Sequence, residues 1–199
     1  MLIYGFDPIC GWCYGAVPAV RALRAAMPDL PIQLVMSGLV TGERVGPYAE
    51  MEGYIRGASE NLKRVTGRAP SDTFFDLIRT PGVQGNSAPP SVAIDAVKCE
   101  RPEAALPFAH AVIEAHFRDG ADLNDPATYS PLLAEHAPGV TLPDLTDPTL
   151  AEAAWAEGRE IGIRSFPTFA VVRGGRAEVL PTLYDPDALI AAVRTKAAA

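Results

Sequence analysis

Two cysteines spaced three apart, Cys10 and Cys13 in "DPICGWCYG", stand at the junction of a short apolar run and a helix-periodic one. "LIYGF", residues 2–6, suits a buried strand. Beyond it, Trp12, Ala16, Ala19, Val20, Leu23 and Met27 recur at intervals of three and four, the spacing of one helix face, and Pro28 ends that pattern. "PIQLVMS" then offers a second strand over residues 32–36. A β-α-β opening implies parallel strands beneath a crossover helix. It fixes the cysteine pair at the first turn of that helix, a position that restricts both the fold and the chemistry.

Three uses of such a pair can be weighed. A structural zinc site needs four ligands, commonly a second cysteine pair or histidines at ligand spacing. Here Cys99 and three scattered histidines, His110, His116 and His136, are all that remain, so no metal site is expected. A structural staple over so short a loop would remove little chain entropy. Redox chemistry fits the position best. Unpaired backbone N–H groups and the positive end of the helix dipole stabilise a thiolate at Cys10. A stabilised thiolate is both a nucleophile near neutral pH and a good leaving group. Cys13, one turn further in, is close enough to close a disulfide with Cys10 and is expected to be the more buried sulfur. A C-x-x-C within a β-α-β opening is a strong signal of this kind.

The rest of the chain organises around that opening. Residues 40–146 read as a helical block of four or five helices: "PYAEMEGYIRGASENLKRVTG" stops at Gly67, "SDTFFDLIRT" is capped by Ser71, and three further segments open with proline near a first turn. The last 53 residues return to mixed structure. Asp147-Pro148 caps a helix, "PTFAVVRGGRAEVL" reads as a hairpin turning at Gly174-Gly175, and Asp185-Pro186 caps a final helix. Residues 1–39 and 147–199 are therefore expected to share one small sheet with helices on both faces, and 40–146 to be an insertion into it.

With these residues in place, the chain resembles thioredoxin-fold oxidoreductases of the DsbA-like branch. The C-x-x-C after the first strand, Pro18 in the following helix and "FPTF" before the penultimate strand carry the resemblance. "DPICGWCYGAVP", "SGLVTG" and "NSAPPSVAIDA" are similar to a cytosolic group of that branch described as protein-disulfide isomerases. The resemblance implies an α/β thioredoxin-like fold with an inserted all-helical domain, with Cys10 as nucleophile and Cys13 as resolving thiol. It also implies a cis bond before Pro167, placed against the sulfurs. Cis peptides are almost confined to X-Pro bonds. The backbone of Phe166 would then pair with an extended substrate segment, and Trp12, Phe166 and Thr168 would line the substrate site, Trp12 as a surface platform. Relatives keep a buried carboxylate six residues before the first cysteine, to move protons from the second. Here that position is Tyr4, and Asp7, the nearest acid, fits turn capping better than proton relay. Cys99 is expected to be a half-buried inert thiol, and the histidines to be helix-surface or core residues.

The implied activity is thiol–disulfide oxidoreduction or isomerisation on a disulfide- or thiol-bearing protein or small molecule. No resident cofactor is implied, though glutathione is a candidate thiol partner. The same architecture also carries glutathione-dependent isomerases and kappa-type glutathione transferases, which present a serine where Cys10 stands and lack the second cysteine. A redox-reporting binding module is the non-enzymatic alternative. Composition narrows the partners further. Of 199 residues, 48% are hydrophobic and 21% charged, as in folded domains. A net charge of −7 argues against nucleic acid or an anionic membrane surface. No apolar run approaches the roughly 18 residues needed to span a bilayer. "MLIYGFDPIC" carries no secretory pattern and the chain has only three cysteines, so a cytoplasmic location is expected.

Overall fold

A computed structural model of the chain describes residues 1–198. β1 (Leu2–Gly5), α1 (Gly11–Ala26) and β2 (Ile32–Val35) form the expected β-α-β opening, with β1 and β2 parallel and Leu2 opposite Ile32. Five helices follow: α2 (Glu52–Thr66), α3 (Asp72–Arg79), α4 (Ala88–Glu100), α5 (Ala105–Phe117) and α6 (Tyr129–His136). The chain then returns through α7 (Pro148–Glu160), β5 (Thr168–Arg173), β6 (Arg176–Val179) and α8 (Pro186–Ala198). The sheet order is β2-β1-β5-β6, with β5 antiparallel to β1 and to β6. This is an α/β fold of the thioredoxin type carrying a helical insert.

Local chemistry explains the boundaries. Ser71 and Asp147 each accept a hydrogen bond from a first-turn amide, Phe74 and Thr149 respectively, and Asp185 does the same for Ala188. Gly67 ends α2 in the left-handed conformation, its amide donating to Lys63. The β5–β6 hairpin turns on Gly174 and Gly175, both at positive φ, as a two-residue turn matched to strand twist requires. One feature departs from the all-helical reading of the middle segment. β3 (Gly46–Pro47) and β4 (Gln84–Gly85) form a two-residue antiparallel ladder there. It is too short to show any alternation in the sequence.

The main core is continuous from sheet to helical block. Leu2 and Tyr4 of β1, Val17 and Val20 of α1, and Phe108 and Val112 of α5 belong to one buried cluster. A smaller cluster, Ile3, Val35 and Ala170 on alternate residues of the strands with Ile163 from the α7–β5 connection, lies on the opposite face of the sheet. α1 packs against α8, α2 and α5, and α4 packs against α7. The approach of α7 is close. A Cβ on Gly158 would lie 2.2 Å from the Met36 carbonyl oxygen, so only glycine lets α7 sit against the chain leaving β2. No helix among the described residues is long and apolar enough to cross a membrane.

Candidate active site

Cys10 is the residue before the first turn of α1, in an extended conformation (φ −86°, ψ 117°), where the strand-to-helix turn ends. Its amide donates to the Asp7 carbonyl, and its own carbonyl accepts from Tyr14. The two sulfurs are free thiols and both residues are buried, Cys10 at 5% exposure and Cys13 at 0%. The Phe166–Pro167 bond is cis, as the resemblance implies, and Pro167 is buried. The Cys10 thiol lies 3.7 Å from the carbonyl oxygen of Phe166, so residues 156 apart in the chain meet at the sulfur. Burial pushes the Cys13 thiol well above its ordinary value. A hydrogen bond and the charge of Cys10 push it further, while the Asp7 backbone amide pulls the other way.

The remaining expected site residues fall at different distances from this centre. Phe166 is half-buried and packs on both clusters of the core. Thr168 begins β5 opposite Gly5, and its hydroxyl donates to the Ser165 carbonyl at 2.7 Å, so that hydroxyl is committed to the turn. Trp12 is not an open surface platform. It is half-buried with its ring 5.6 Å from that of Tyr184, because the chain between β6 and α8 comes back over the first turn of α1. Cys99 also differs from expectation. It is exposed at the end of α4, 3.9 Å from an Asp95 carboxylate oxygen, since its side of α4 faces away from the core. His110 and His116 are core residues of α5.

Asp7 proves central in a way its turn-forming sequence only half discloses. Its carboxylate accepts from the Ile9 amide at 3.0 Å, the turn contact expected of Asp-Pro. It also accepts from the Leu39 amide at 2.7 Å and the Ser87 hydroxyl at 3.2 Å. The side chain is fully buried, and burial raises its pKa against the lowering effect of those donors and of the Arg44 charge. Ser87 in turn accepts from the Val40 amide. The cysteine turn, the loop after β2 and the start of α4 are thus tied at one carboxylate. Tyr4 is also buried. Its hydroxyl has no protein partner, and burial together with Cys13 and Cys10 raises its pKa.

A cavity of about 440 Å³ opens beside this centre, lined by Ser37, Leu39, Arg44, Arg159, Arg164 and Phe166 among others. No cluster of three or more His, Cys, Asp or Glu side chains suited to a metal ion occurs among the described residues.

No family model matches the sequence, and no curated protein matches it. Solved structures do. A cytosolic disulfide reductase from Pseudomonas aeruginosa, DsbM, is 28% identical with a TM-score of 0.81, over 99% of this chain and 98% of that one. The same Pseudomonas protein solved with glutathione gives 27% identity and a TM-score of 0.79, covering 100% of this chain and 99% of that one. A protein disulfide isomerase candidate from Nitrosomonas europaea is 21% identical at a TM-score of 0.76, over 98% and 95% of the two chains, a likeness of fold. The chain therefore has the DsbA-like thioredoxin fold, and its neighbours among solved structures are DsbA-like oxidoreductases.

Proposed function

We propose that the chain is a thiol–disulfide oxidoreductase in which Cys10 attacks and Cys13 resolves. One observation carries the reading: the Cys10 sulfur, at the N-terminus of α1, lies 3.7 Å from the carbonyl of Phe166, the residue preceding Pro167. A helix N-terminus favours a thiolate. The Phe166 backbone offers an extended substrate a strand-like partner beside the sulfur.

In the forward step the Cys10 thiolate attacks one sulfur of a substrate disulfide. The substrate S–S bond breaks, a Cys10–substrate mixed disulfide forms, and one substrate thiolate leaves. Cys13 then attacks the Cys10 sulfur and the second substrate thiolate departs, taking up the proton that Cys13 gives up. The protein dithiol is oxidised to a disulfide and the substrate disulfide is reduced to two thiols. Run backwards, the same steps oxidise a dithiol. Run through the mixed disulfide alone, they isomerise one. The Pseudomonas structure with glutathione supports glutathione as the thiol that completes the cycle in this chain, in the cytoplasm. Residues 1–39 and 147–199 carry the chemistry in this reading. The block 40–146 forms one wall of the substrate groove, Phe166 and the backbone of Thr168 position the substrate, Trp12, half covered by Tyr184, borders the groove, and Pro167 shields the sulfurs.

The test is the pair of cysteine variants. Cys10→Ser abolishes reduction of insulin and of glutathione disulfide. Cys13→Ser keeps the first step and accumulates a mixed disulfide, visible by intact mass. An adduct on Cys13 in the Cys10→Ser protein, with none on Cys10 in the Cys13→Ser protein, overturns the assignment.

A further inference from the structure

The cavity beside Phe166 gathers three arginines in a chain whose net charge is −7. They come from three places: Arg44 from the loop after β2, Arg159 from the end of α7, and Arg164 from the turn leading into Pro167. Arg159 is already engaged. Its guanidinium pairs with Glu152, lies 5.1 Å from the Trp155 ring centre and donates to the Ser37 carbonyl at 3.4 Å. Arg44 and Arg164 are exposed, and neither side chain has a hydrogen-bond or ion-pair partner among the described residues. Uncompensated arginines facing one cavity form a ready fork for carboxylates.

The position of the cavity decides what kind of anion it suits. Phe166 lines it, and the Phe166 carbonyl meets the Cys10 sulfur. Leu39, another wall, donates its amide to Asp7, whose own carbonyl receives the Cys10 amide. Cys10 itself does not line the cavity, so a ligand seated here extends one end past Phe166 to the sulfur and keeps the other among guanidinium groups. A free inorganic anion would use only the second end. The volume, about 440 Å³, is that of a small-molecule site.

We propose that Arg44 and Arg164 form a carboxylate clamp that selects small disulfides and thiols bearing carboxylates a few bonds from the sulfur. Arg159 holds the cavity wall through Ser37 and Trp155 and adds to its positive potential. The proposal rests on the oxidoreductase reading and adds to it a substrate class. The site discriminates by charge, attracting dicarboxylate disulfides and rejecting cationic ones.

Three disulfides differing in charge test the clamp: glutathione disulfide (anionic), bis(2-hydroxyethyl) disulfide (neutral) and cystamine (cationic). Oxidation of the reduced protein is followed by fluorescence, since Trp12 lies between the cysteines. The ratio of the glutathione-disulfide rate to the hydroxyethyl-disulfide rate falls roughly fivefold in Arg44→Ala and in Arg164→Ala, the effect of losing one partly exposed charge contact. It falls further in the double variant, and the difference shrinks in high salt. The cystamine ratio moves the opposite way. A second measurement needs no redox step: S-methylglutathione, which cannot exchange, binds the wild type in calorimetry and binds the double variant more weakly. Equal changes for all three disulfides, or none, overturn the clamp and leave the redox reading standing. A protein inert to every disulfide that still binds S-methylglutathione through Arg44 and Arg164 overturns the redox reading and supports the clamp.

Discussion

Asp7 and Glu114 are both buried carboxylates, and each joins the sheet side of the molecule to the helical block, by opposite means. Asp7 lies beside the cysteine turn and takes its hydrogen bonds from neutral donors, two backbone amides and the Ser87 hydroxyl, with the Arg44 charge acting without a direct bond. Glu114, in α5, is held by charge. Arg21 of α1 bonds both its oxygens at 2.9 and 3.0 Å, Arg118 follows at 3.2 Å and Arg68 at 3.4 Å. At Glu114 the negative charge is cancelled where it sits. At Asp7 it is stabilised without being cancelled, so its field reaches Cys13 and adds to the burial that raises that thiol. A carboxylate far from the chemistry can be neutralised by arginines. One beside the cysteine pair shapes the local potential at Cys13, and the manner in which it is held matters to that thiol.

Acid separates the two sides most sharply. α5, the helix of Glu114, also buries two histidines. Burial lowers His110 to about 3 and His116 to about 4, so both are neutral in the fold. His116 is further fixed as the Nδ1–H tautomer, because Nδ1 faces the Ala121 carbonyl at 3.0 Å, leaving Nε2 to accept from Tyr48 at 3.1 Å. Below the ordinary histidine value near 6.5, the unfolded chain takes up protons that the folded chain refuses. The stability these residues contribute is therefore complete above pH 6.5 and is lost as pH falls toward 4 and 3. Two such groups cost on the order of 4 kcal/mol by pH 5. Asp7 has the opposite sign. Its pKa is raised in the fold, so the folded state binds that proton more readily than the unfolded one. Its unfavourable contribution disappears as pH falls through the raised value. Urea unfolding at pH 7 and pH 5 should show the histidine loss. Equal stability at the two values would mean that α5 accommodates charged imidazoles.

Truncating the two carboxylates ranks them in an order that counting ion pairs would reverse. Asp7→Ala leaves the Ile9 and Leu39 amides and the Ser87 hydroxyl without their acceptor, in a fully buried place. At about 1–3 kcal/mol for each stranded donor, the loss is about 3 kcal/mol or more. Glu114→Ala removes the partner of three cations, but the Arg21 and Arg118 side chains are 51% and 57% exposed and can turn to water. Arg68, at 20%, keeps the Tyr14 carbonyl and lies 3.9 Å from the Tyr14 ring centre. The expected cost is about 1 kcal/mol. Chemical denaturation of both variants checks the ranking, and a larger loss for Glu114→Ala would show that the arginine cluster is a desolvated network rather than a solvated one.

The contrast also marks what the sequence could disclose. The β-α-β opening, the Gly174-Gly175 hairpin, and the caps at Ser71, Asp147 and Asp185 are written in neighbouring residues, and local rules reach them. The placement of Cys10 and Cys13 at the start of α1 and the cis bond before Pro167 were legible for a similar reason: each stands in a short motif at a strand boundary. The partners of Asp7 were not, because they arrive from 32 and 80 residues away. The same is true of the arginine cavity, assembled from residues 44, 159 and 164, and of Trp12, covered by Tyr184. Such groupings depend on how α7 and the last segment pack onto the sheet, which no local pattern encodes. One signal could have been used. An Asp-Pro just before a C-x-x-C places an acid within three residues of the sulfur, and a carboxylate so close to a buried site needs donors from elsewhere.

The smallest effect concerns Tyr4, six residues before Cys10. Tyr4 lies between Phe6 and Phe169, with ring centres 5.1 and 5.3 Å away, and its hydroxyl has no protein partner. His110 meets it edge-on at 6.3 Å, and its Nε2 is likewise unpartnered. Tyr129 is equally buried, but its hydroxyl donates to the Leu123 carbonyl at 2.6 Å. Phenylalanine at either position keeps the ring and removes only the hydroxyl. At Tyr129 that strands a carbonyl and costs about 1–2 kcal/mol. At Tyr4 it removes an unmatched polar group, so stability holds or rises by up to about 1 kcal/mol. Parallel denaturation of the two variants checks the difference in sign. If Tyr4→Phe instead loses as much as Tyr129→Phe, and also slows release from the Cys10 mixed disulfide, then the Tyr4 hydroxyl is bonded in solution and serves the resolving step. In that case the Tyr4 phenol takes part in moving the Cys13 proton.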